Sequence, residues 1–158
     1  MKVGIGYDVH SLRSGEDMII GGVEIDHNLG LVGHSDADVL THSIMDALLG
    51  AIGAGDIGRQ FPDTDKKYKG ISSLILLEQV REMIKDEKFS VNNIDAVIIA
   101  QRPKLAPYIS EMEEVIAKTL EVEEDRINIK ATTTEGLGFV GREEGIATKA
   151  IVSLKRGW

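Results

Sequence analysis

Aspartate and histidine residues near the start of the sequence have the types and the spacing of a metal site. Asp8 and His10 lie two residues apart at the end of the first apolar run. If the chain is extended there, both side chains point to the same face, because side chains alternate along a strand. A third candidate, His42, follows in a segment with helical periodicity. Two imidazoles and one carboxylate leave one position of a zinc ion open, which is typical of a catalytic rather than a structural metal.

The ordinary alternative for each histidine is a surface residue or a hydrogen-bonded core residue. His42 lies off the apolar stripe of its predicted helix, on one line with Asp38 and Asp46. We expect these carboxylates to orient the second ring nitrogen of His42, as metal-bound histidines usually require. His34 lies beside a predicted helix start, where contact with an anion is expected rather than ligation. We assign no function to His27.

Later segments have residue types that suit a phosphorylated ligand rich in hydroxyl groups. The run 132–134 consists of threonines and precedes Glu135, so its hydroxyls can bind an oxyanion and the carboxylate a hard divalent cation. A polar turn without function explains these residues equally well. Lys104, on a loop with two prolines, is a candidate phosphate contact, although an exposed lysine needs no function. Three carboxylates in loop 55–70 can hydrogen-bond a polyol or can simply be solvated; they are Asp56, Asp63 and Asp65.

The elements that must position these residues follow from the apolar periodicity. It predicts strands over Lys2–Val9, Ile94–Ala100, Arg126–Ala131 and Ile146–Leu154, and a small hairpin at Gly21-Gly22. Helices are predicted to begin at Ser35, at Ser72 or Ser73, and near Pro107. Strands and helices do not alternate regularly. This favours an α+β fold over residues 1–158, a single domain with helices packed on one face of a mixed β-sheet.

Length, charge and cysteine content restrict the class of protein. The 158 residues are the length of one domain, and an apolar share of 42% is enough for a core. The net charge of −8 argues against nucleic acid and membrane surfaces as partners. Because cysteine is absent, a transition-metal site must use His, Asp and Glu. We see neither a leader sequence nor an apolar run of about 20 residues, so the sequence predicts a cytoplasmic protein.

The motifs, taken together, resemble the 2-C-methyl-D-erythritol 2,4-cyclodiphosphate synthase family of the non-mevalonate isoprenoid pathway. The resemblance runs the full length of the chain, and its motifs occur in the same order. The segments that carry it are Gly6–His10, Gly33–Asp38, Asp46–Ala51, Gly55–Gly58, Phe61–Asp65, Ala100–Lys104, Lys130–Glu135 and Gly138–Ile146.

The resemblance implies a metal-dependent cyclisation. The substrate would be 4-diphosphocytidyl-2-C-methyl-D-erythritol 2-phosphate, whose 2-phosphate attacks the β-phosphorus and releases CMP. One zinc ion, or another divalent transition metal, would be held in each subunit by Asp8, His10 and His42. A second ion, Mg²⁺ or Mn²⁺, would bridge the α- and β-phosphates with help from Glu135. The subunits would form a homotrimer with active sites between neighbouring chains.

The resemblance also implies roles for the remaining motif residues. His34 and Thr133 would be the catalytic residues that contact charge developing in the transition state. Segment 100–106, with Thr132, would form the cytidine pocket supplied by the adjacent subunit. Phe139 and Arg142 would line the central cavity of the trimer. The complete set of implied substrate-binding residues is Asp8, Val9, His10, His34, Ser35, Asp56, Ile57, Gly58, Phe61, Pro62, Asp63, Thr64, Asp65, Ala100, Gln101, Arg102, Pro103, Lys104, Leu105, Ala106, Thr132, Thr133, Thr134, Glu135, Phe139 and Arg142.

Two other functions fit the same residues. In a zinc-dependent phosphohydrolase, the open metal position would carry a hydroxide that attacks phosphorus. In a non-catalytic structural zinc protein, the metal would only hold the fold together, and a fourth protein ligand would be expected. The phosphohydrolase differs from the cyclisation in its nucleophile, which is water rather than a substrate phosphate. The structural zinc protein differs in its response to loss of a metal ligand, which would unfold it.

Overall fold

The computed structural model describes residues 1–157. Its strands are β1 (Lys2–Ser14), β2 (Ile19–Ile20), β3 (Val23–Glu24), β4 (Leu29–Leu31), β5 (Phe89–Ile99), β6 (Ile127–Thr132) and β7 (Gly145–Arg156). Its helices are α1 (Val39–Ile52), α2 (Ile57–Gln60), α3 (Ser73–Asp86), α4 (Ile109–Leu120) and α5 (Gly138–Gly141). Short 3₁₀ turns occupy Lys66–Tyr68, Ala106–Tyr108 and Glu124–Arg126.

The main sheet is mixed and has the strand order β4-β1-β7-β5-β6. The pair β5 and β6 is parallel, and the other pairs are antiparallel. Strands β2 and β3 form the hairpin predicted at the glycine pair. Helix α1 packs on β1 and β7, and α3 and α4 extend the helical layer over β5 and β6. This arrangement confirms the predicted α+β class with a mixed sheet.

Helix α1 lies directly against β1 because two glycines of the strand face it. A β-carbon on Gly4 would stand 1.9 Å from the carbonyl oxygen of Ala47, and one on Gly6 would stand 1.9 Å from that of Ser43. No side chain can occupy either position, so the backbones of helix and strand touch. The close approach brings His42, the neighbour of Ser43, to the middle of β1, where the metal candidates Asp8 and His10 lie.

The opposite face of β1 is apolar and exposed. Val3, Ile5, Tyr7 and Val9 alternate with the buried positions of the strand, and between 43% and 71% of each residue is exposed. Ile5 lies opposite Ile151 of β7, which is 52% exposed. Isolated exposed apolar residues are common, but a contiguous patch is typical of a surface that contacts another molecule.

The start of α1 differs from the prediction. The helix begins at Val39, and its N-cap is Asp38 rather than Ser35. The buried carboxylate of Asp38 accepts hydrogen bonds from the backbone and hydroxyl of Thr41 and from the amides of Gly21 and Gly22, at 2.7–3.0 Å. A carboxylate can accept all four bonds, whereas a serine hydroxyl cannot. Asp38 therefore joins the start of α1 to the β2–β3 hairpin.

Candidate metal centre and active site

The three predicted metal ligands converge. Asp8 Oδ2 lies 2.9 Å from His10 Nε2 and 3.2 Å from His42 Nδ1. The two histidine nitrogens are 3.2 Å apart. Ligand atoms bound tetrahedrally to zinc at 2.0–2.1 Å stand about 3.3 Å from one another. The three atoms thus have nearly the spacing of one face of a zinc coordination tetrahedron, and this donor set fits the predicted metal.

The imidazole of His10 is held by the chain that follows β4. His10 Nδ1 donates a hydrogen bond to the carbonyl oxygen of Val32 at 2.7 Å. Because a carbonyl can only accept, Nδ1 carries the proton and Nε2 keeps a lone pair toward Asp8 in the neutral ring. Metal-bound histidines usually have their second ring nitrogen fixed in this way.

The prediction that Asp38 and Asp46 orient His42 is wrong. Asp38 caps α1, and Asp46 accepts a hydrogen bond from the amide of Ile57 at 2.8 Å. His42 Nε2 instead meets two hydroxyls, Ser73 Oγ at 2.9 Å and Ser35 Oγ at 3.1 Å. Helical spacing identified the neighbours of His42 along α1. The hydrogen-bond partners of its Nε2 come instead from segments outside that helix.

Asp8 and His10 shift each other's pKa in opposite directions. Burial alone would raise the pKa of Asp8, but its interactions with His10 and His42 outweigh burial and lower that pKa. Burial alone would lower the pKa of His10, but its hydrogen bond and attraction to Asp8 raise that pKa. His10 therefore retains its second proton to a higher pH than a free histidine would.

Metal affinity should depend on pH through this proton. A metal must displace it from His10, so zinc affinity is expected to fall about tenfold per pH unit below the raised pKa of His10. The affinity should level off above that pKa, where the ring is already neutral. Competition with a chelator of known proton affinity, between about pH 5.5 and 8.5, measures the dependence. A flat affinity over that range would contradict it.

The predicted polyol loop forms two short capped turns beside His34. Asp56 caps α2 through the amide of Arg59, and Asp65 caps the next turn through the amide of Lys67. His34 Nε2 donates to the carbonyl oxygen of Asp65 at 3.3 Å. The structure thus brings His34 and this loop together, and Asp63 lies exposed between the two turns.

The predicted cytidine and threonine segments also meet, because they follow the parallel strands β5 and β6. The amide of Ala100 donates to the carbonyl of Thr132 at 2.9 Å, and the amide of Gly136 donates to Gln101 Oε1 at 3.1 Å. Thr133 is exposed, and its hydroxyl accepts a hydrogen bond from the amide of Glu135 at 3.1 Å.

These segments lie at the same end of the sheet as the metal ligands but on different strands. Ile99 of β5 pairs with Ala147 of β7, which pairs in turn with Val9 of β1. With strands about 4.8 Å apart, β5 lies about 10 Å and β6 about 14 Å from β1. One chain therefore keeps its metal candidates and its predicted cytidine segment two to three strands apart.

The residues predicted for the central cavity lie near the start of β7. Phe139 is 39% exposed and packs beside Gly145, and Arg142 forms an ion pair with Glu144 at 3.2 Å. Lys149 is on the exposed face of the sheet, with its ammonium 5.9 Å from the centre of the Tyr7 ring.

Sequence reasoning missed several groups that build the metal centre. Gly4 and Gly6 had a readable signal, since two glycines at a period of two within a strand indicate close approach of another backbone. Ser73 had none, because 31 residues separate it from His42. No local pattern predicts a partner at that distance along the chain.

The fold and the site define a class, that of α+β proteins with an Asp-His-His triad suited to a metal ion at one end of a mixed sheet. The chain belongs to the YgbB family, which it matches over residues 1–155. The enzymatic class is that of its curated relatives, 2-C-methyl-D-erythritol 2,4-cyclodiphosphate synthase. The relative from Alkaliphilus metalliredigens is 63% identical over 154 residues, covering 98% of this chain and 97% of the relative.

Two solved structures are similar to this chain in fold and in sequence. The Plasmodium falciparum IspF complex with CDP superposes with a TM-score of 0.88 at 32% identity, covering 99% of this chain and 97% of that one. The bifunctional IspDF from Campylobacter jejuni gives a TM-score of 0.95 at 47% identity, and there this chain, covered over 98%, spans 42% of the longer protein. Within residues 1–157, no helix is long and apolar enough to cross a membrane.

Proposed function

We propose that the chain converts 4-diphosphocytidyl-2-C-methyl-D-erythritol 2-phosphate to 2-C-methyl-D-erythritol 2,4-cyclodiphosphate and CMP. It would act as a cyclising phosphorus-oxygen lyase of isoprenoid precursor synthesis, in the cytoplasm, as one domain over residues 1–158. The observation that carries the proposal is the convergence of Asp8, His10 and His42 in a chain 63% identical to a named synthase. The CDP complex of the Plasmodium falciparum relative supports a cytidine diphosphate substrate.

The triad would hold zinc and leave one position for substrate. A zinc ion bound there would withdraw charge from a phosphate oxygen. Asp8 supplies the only negative charge among the three ligands, so a divalent ion keeps a net positive charge toward the substrate. Glu135, exposed at the end of the β6 segment, is available to a second divalent ion on the diphosphate.

The protein groups would act mainly by positioning. The nucleophile is already a phosphate and the leaving group is CMP, so little proton transfer is needed. The imidazole of His34 and the hydroxyl of Thr133 would donate hydrogen bonds to phosphoryl oxygens as charge develops. The loop with Asp56 and Asp63 would hold the methylerythritol hydroxyls, and segment 100–106 would hold the cytidine.

Incorporation of solvent oxygen tests this reaction against the phosphohydrolase alternative. Turnover in ¹⁸O-labelled water should give an unlabelled cyclodiphosphate and unlabelled CMP, because a substrate phosphate is the nucleophile. Mass spectrometry of both products reads the result. Label in either product would show that water attacks phosphorus and would overturn the cyclisation. A protein that binds zinc but turns over no substrate would favour the structural alternative.

Thr133→Val should lower kcat by about 10²-fold or more while zinc content stays unchanged, because the hydroxyl is removed but the shape is kept. Steady-state kinetics and metal analysis of the same preparation measure both quantities. Thr119→Val, on α4, is the matched control and should keep wild-type turnover. Normal kcat in Thr133→Val would remove this residue from the catalytic set.

The active site would be completed by a second subunit in a homotrimer. One chain separates its metal candidates from its cytidine segment by about 10–14 Å across the sheet. The apolar face of β1 and β7 gives neighbouring chains a surface to share. A cyclic trimer would place the cytidine segment of one chain beside the triad of the next.

Ile5→Glu should dissociate the trimer, because it places a charge in the exposed apolar face, where Ile5 is 71% exposed in the single chain. Light scattering after size-exclusion chromatography measures the mass, and activity should fall with it. Ile75→Glu is the matched control, since Ile75 is 47% exposed on α3. A trimeric Ile5→Glu variant would show that this face is not the interface.

A further inference from the structure

The hydroxyl of Ser73 is a buried partner of the metal centre that no sequence motif identified. Ser73 is the first residue of α3 and is fully buried. Its oxygen lies 2.9 Å from Nε2 of His42, on the opposite side of the imidazole from the nitrogen that faces Asp8. A buried hydroxyl in this position must either donate to the ring or accept from it.

The bonds between Ser73 and Asp36 decide whether the hydroxyl donates to His42 or accepts from it. The hydroxyl of Ser73 donates to Oδ1 of Asp36, and the backbone amide of Ser73 donates to Oδ2 of the same carboxylate at 2.9 Å. Oδ1 also accepts the amide of Asp38 at 3.1 Å. An ionised carboxylate only accepts, so the single hydroxyl proton of Ser73 is committed to Asp36. The oxygen of Ser73 must therefore accept a hydrogen bond from Nε2–H of His42.

We propose that Ser73 and Asp36 are positioning residues that hold His42 with its proton on Nε2 and its lone pair on Nδ1, the form needed to bind a metal beside Asp8 and His10. The inference rests on the metal centre of the proposed function. The chain Asp36–Ser73–His42 also fixes the plane of the ring, so that Nδ1 stays 3.2 Å from both other ligand atoms.

Ser35 is the comparison residue, because its hydroxyl lies 3.1 Å from the same Nε2. No carboxylate bond commits the Ser35 hydroxyl in the part of the chain that the structure describes. It can thus accept from His42 or point elsewhere, and it does not by itself select the form of the ring. Both serine hydroxyls contact Nε2 of His42, but their removal should change zinc affinity to different extents.

Zinc affinity of the Ser73→Ala variant tests the proposal. We expect competition with a chelating dye to give a dissociation constant about 10- to 100-fold higher than that of the wild type. Ser35→Ala should change it by less than about threefold. In the zinc-free protein, ¹⁵N spectra of the histidine rings should show His42 mainly as the Nε2–H form in the wild type and as a mixture in Ser73→Ala. Ser73→Ala keeps its backbone bond to Asp36, so the start of α3 and the thermal midpoint should be retained.

A second variant separates the relay from simple loss of a hydroxyl. Asp36→Asn should weaken zinc binding as well, and the double variant should be no weaker than the poorer single variant, since both act through one chain of bonds. Wild-type zinc affinity and an unchanged ring form in Ser73→Ala would overturn the proposal. A wild-type protein that binds no zinc would instead refute the metal centre of the proposed function, and the ¹⁵N spectra would still decide the bonding of His42.

Discussion

Replacing His42 by alanine is expected to abolish turnover and to leave a folded, metal-poor trimer. The substitution removes one of three ligands from a centre whose atoms lie 2.9–3.2 Å apart. Two remaining ligands hold zinc weakly, and without the ion the charge on the reacting phosphates is not neutralised. We expect kcat to fall about 10³-fold or more. Kinetics, metal analysis and circular dichroism on one preparation measure the three properties.

The fold should survive because the buried side chain of His42 contacts Asp8 and His10 and is not part of the hydrophobic core. His27→Ala is the control for loss of an imidazole, since His27 lies outside the metal centre, and it should keep both zinc and turnover. Unfolding of His42→Ala would favour the structural zinc protein, whose metal holds the fold together. Full activity with normal zinc content would remove His42 from the metal centre.

Mixed trimers extend this test to the arrangement of the active site. Subunits carrying His42→Ala and subunits carrying Thr133→Val are each expected to be inactive alone. If each site joins the triad of one chain to the threonine segment of the next, co-assembly at equal amounts makes roughly one quarter of the sites intact. Activity should then recover to about that fraction. If each chain forms its own complete site, mixing restores nothing.

Local patterns were sufficient to predict the three side chains that converge in the candidate metal centre. Asp8 and His10 share a face because β1 is extended through both residues. His42 was separated from the core stripe because helical periodicity places it on a different line from the leucines of α1. Each of these inferences needs only the geometry of one element, which the sequence within that element determines.

The partners of those ligands could not be predicted in the same way. Helical spacing favours Asp38 and Asp46 equally as partners of His42, but Asp38 accepts hydrogen bonds from the hairpin and Asp46 from the start of α2. Ser73 reaches His42 only because α3 packs against α1. Contacts between elements depend on how the helices pack on the sheet, and the spacing of residues along α1 does not identify which side chain of another element reaches His42.

The start of α1 also depends on a contact between elements that local patterns do not predict. Ser35 satisfies the local rule for a helix cap, as Asp38 does, and only the hairpin amides of Gly21 and Gly22 distinguish them. Those amides are 16 and 17 residues away in the chain. With Asp38 as the cap, Ser35 stays in the segment before the helix, where its hydroxyl can reach the ring of His42.

Gly6→Ala should show that close packing of helix and strand is what assembles the centre. The added β-carbon would stand 1.9 Å from the carbonyl oxygen of Ser43, so α1 must move away from β1. Overpacking of this kind should lower the free energy of unfolding by about 3 kcal/mol. It should also weaken zinc binding, because His42 moves with the helix while Asp8 and His10 stay on the strand. Denaturant unfolding and chelator competition measure the two effects.

Gly50→Ala is the matched control, because it adds the same β-carbon to α1, the helix that packs on β1. Gly50 lies within α1 with no atom within 4 Å of an added β-carbon, so the change should stabilise the protein by about 0.5–1 kcal/mol and leave zinc affinity unchanged. Loss of stability in Gly6→Ala with normal zinc affinity would mean that the centre tolerates movement of α1. Wild-type values for both properties would show that the glycine is not needed, and that the ligands converge without the contact of the two backbones.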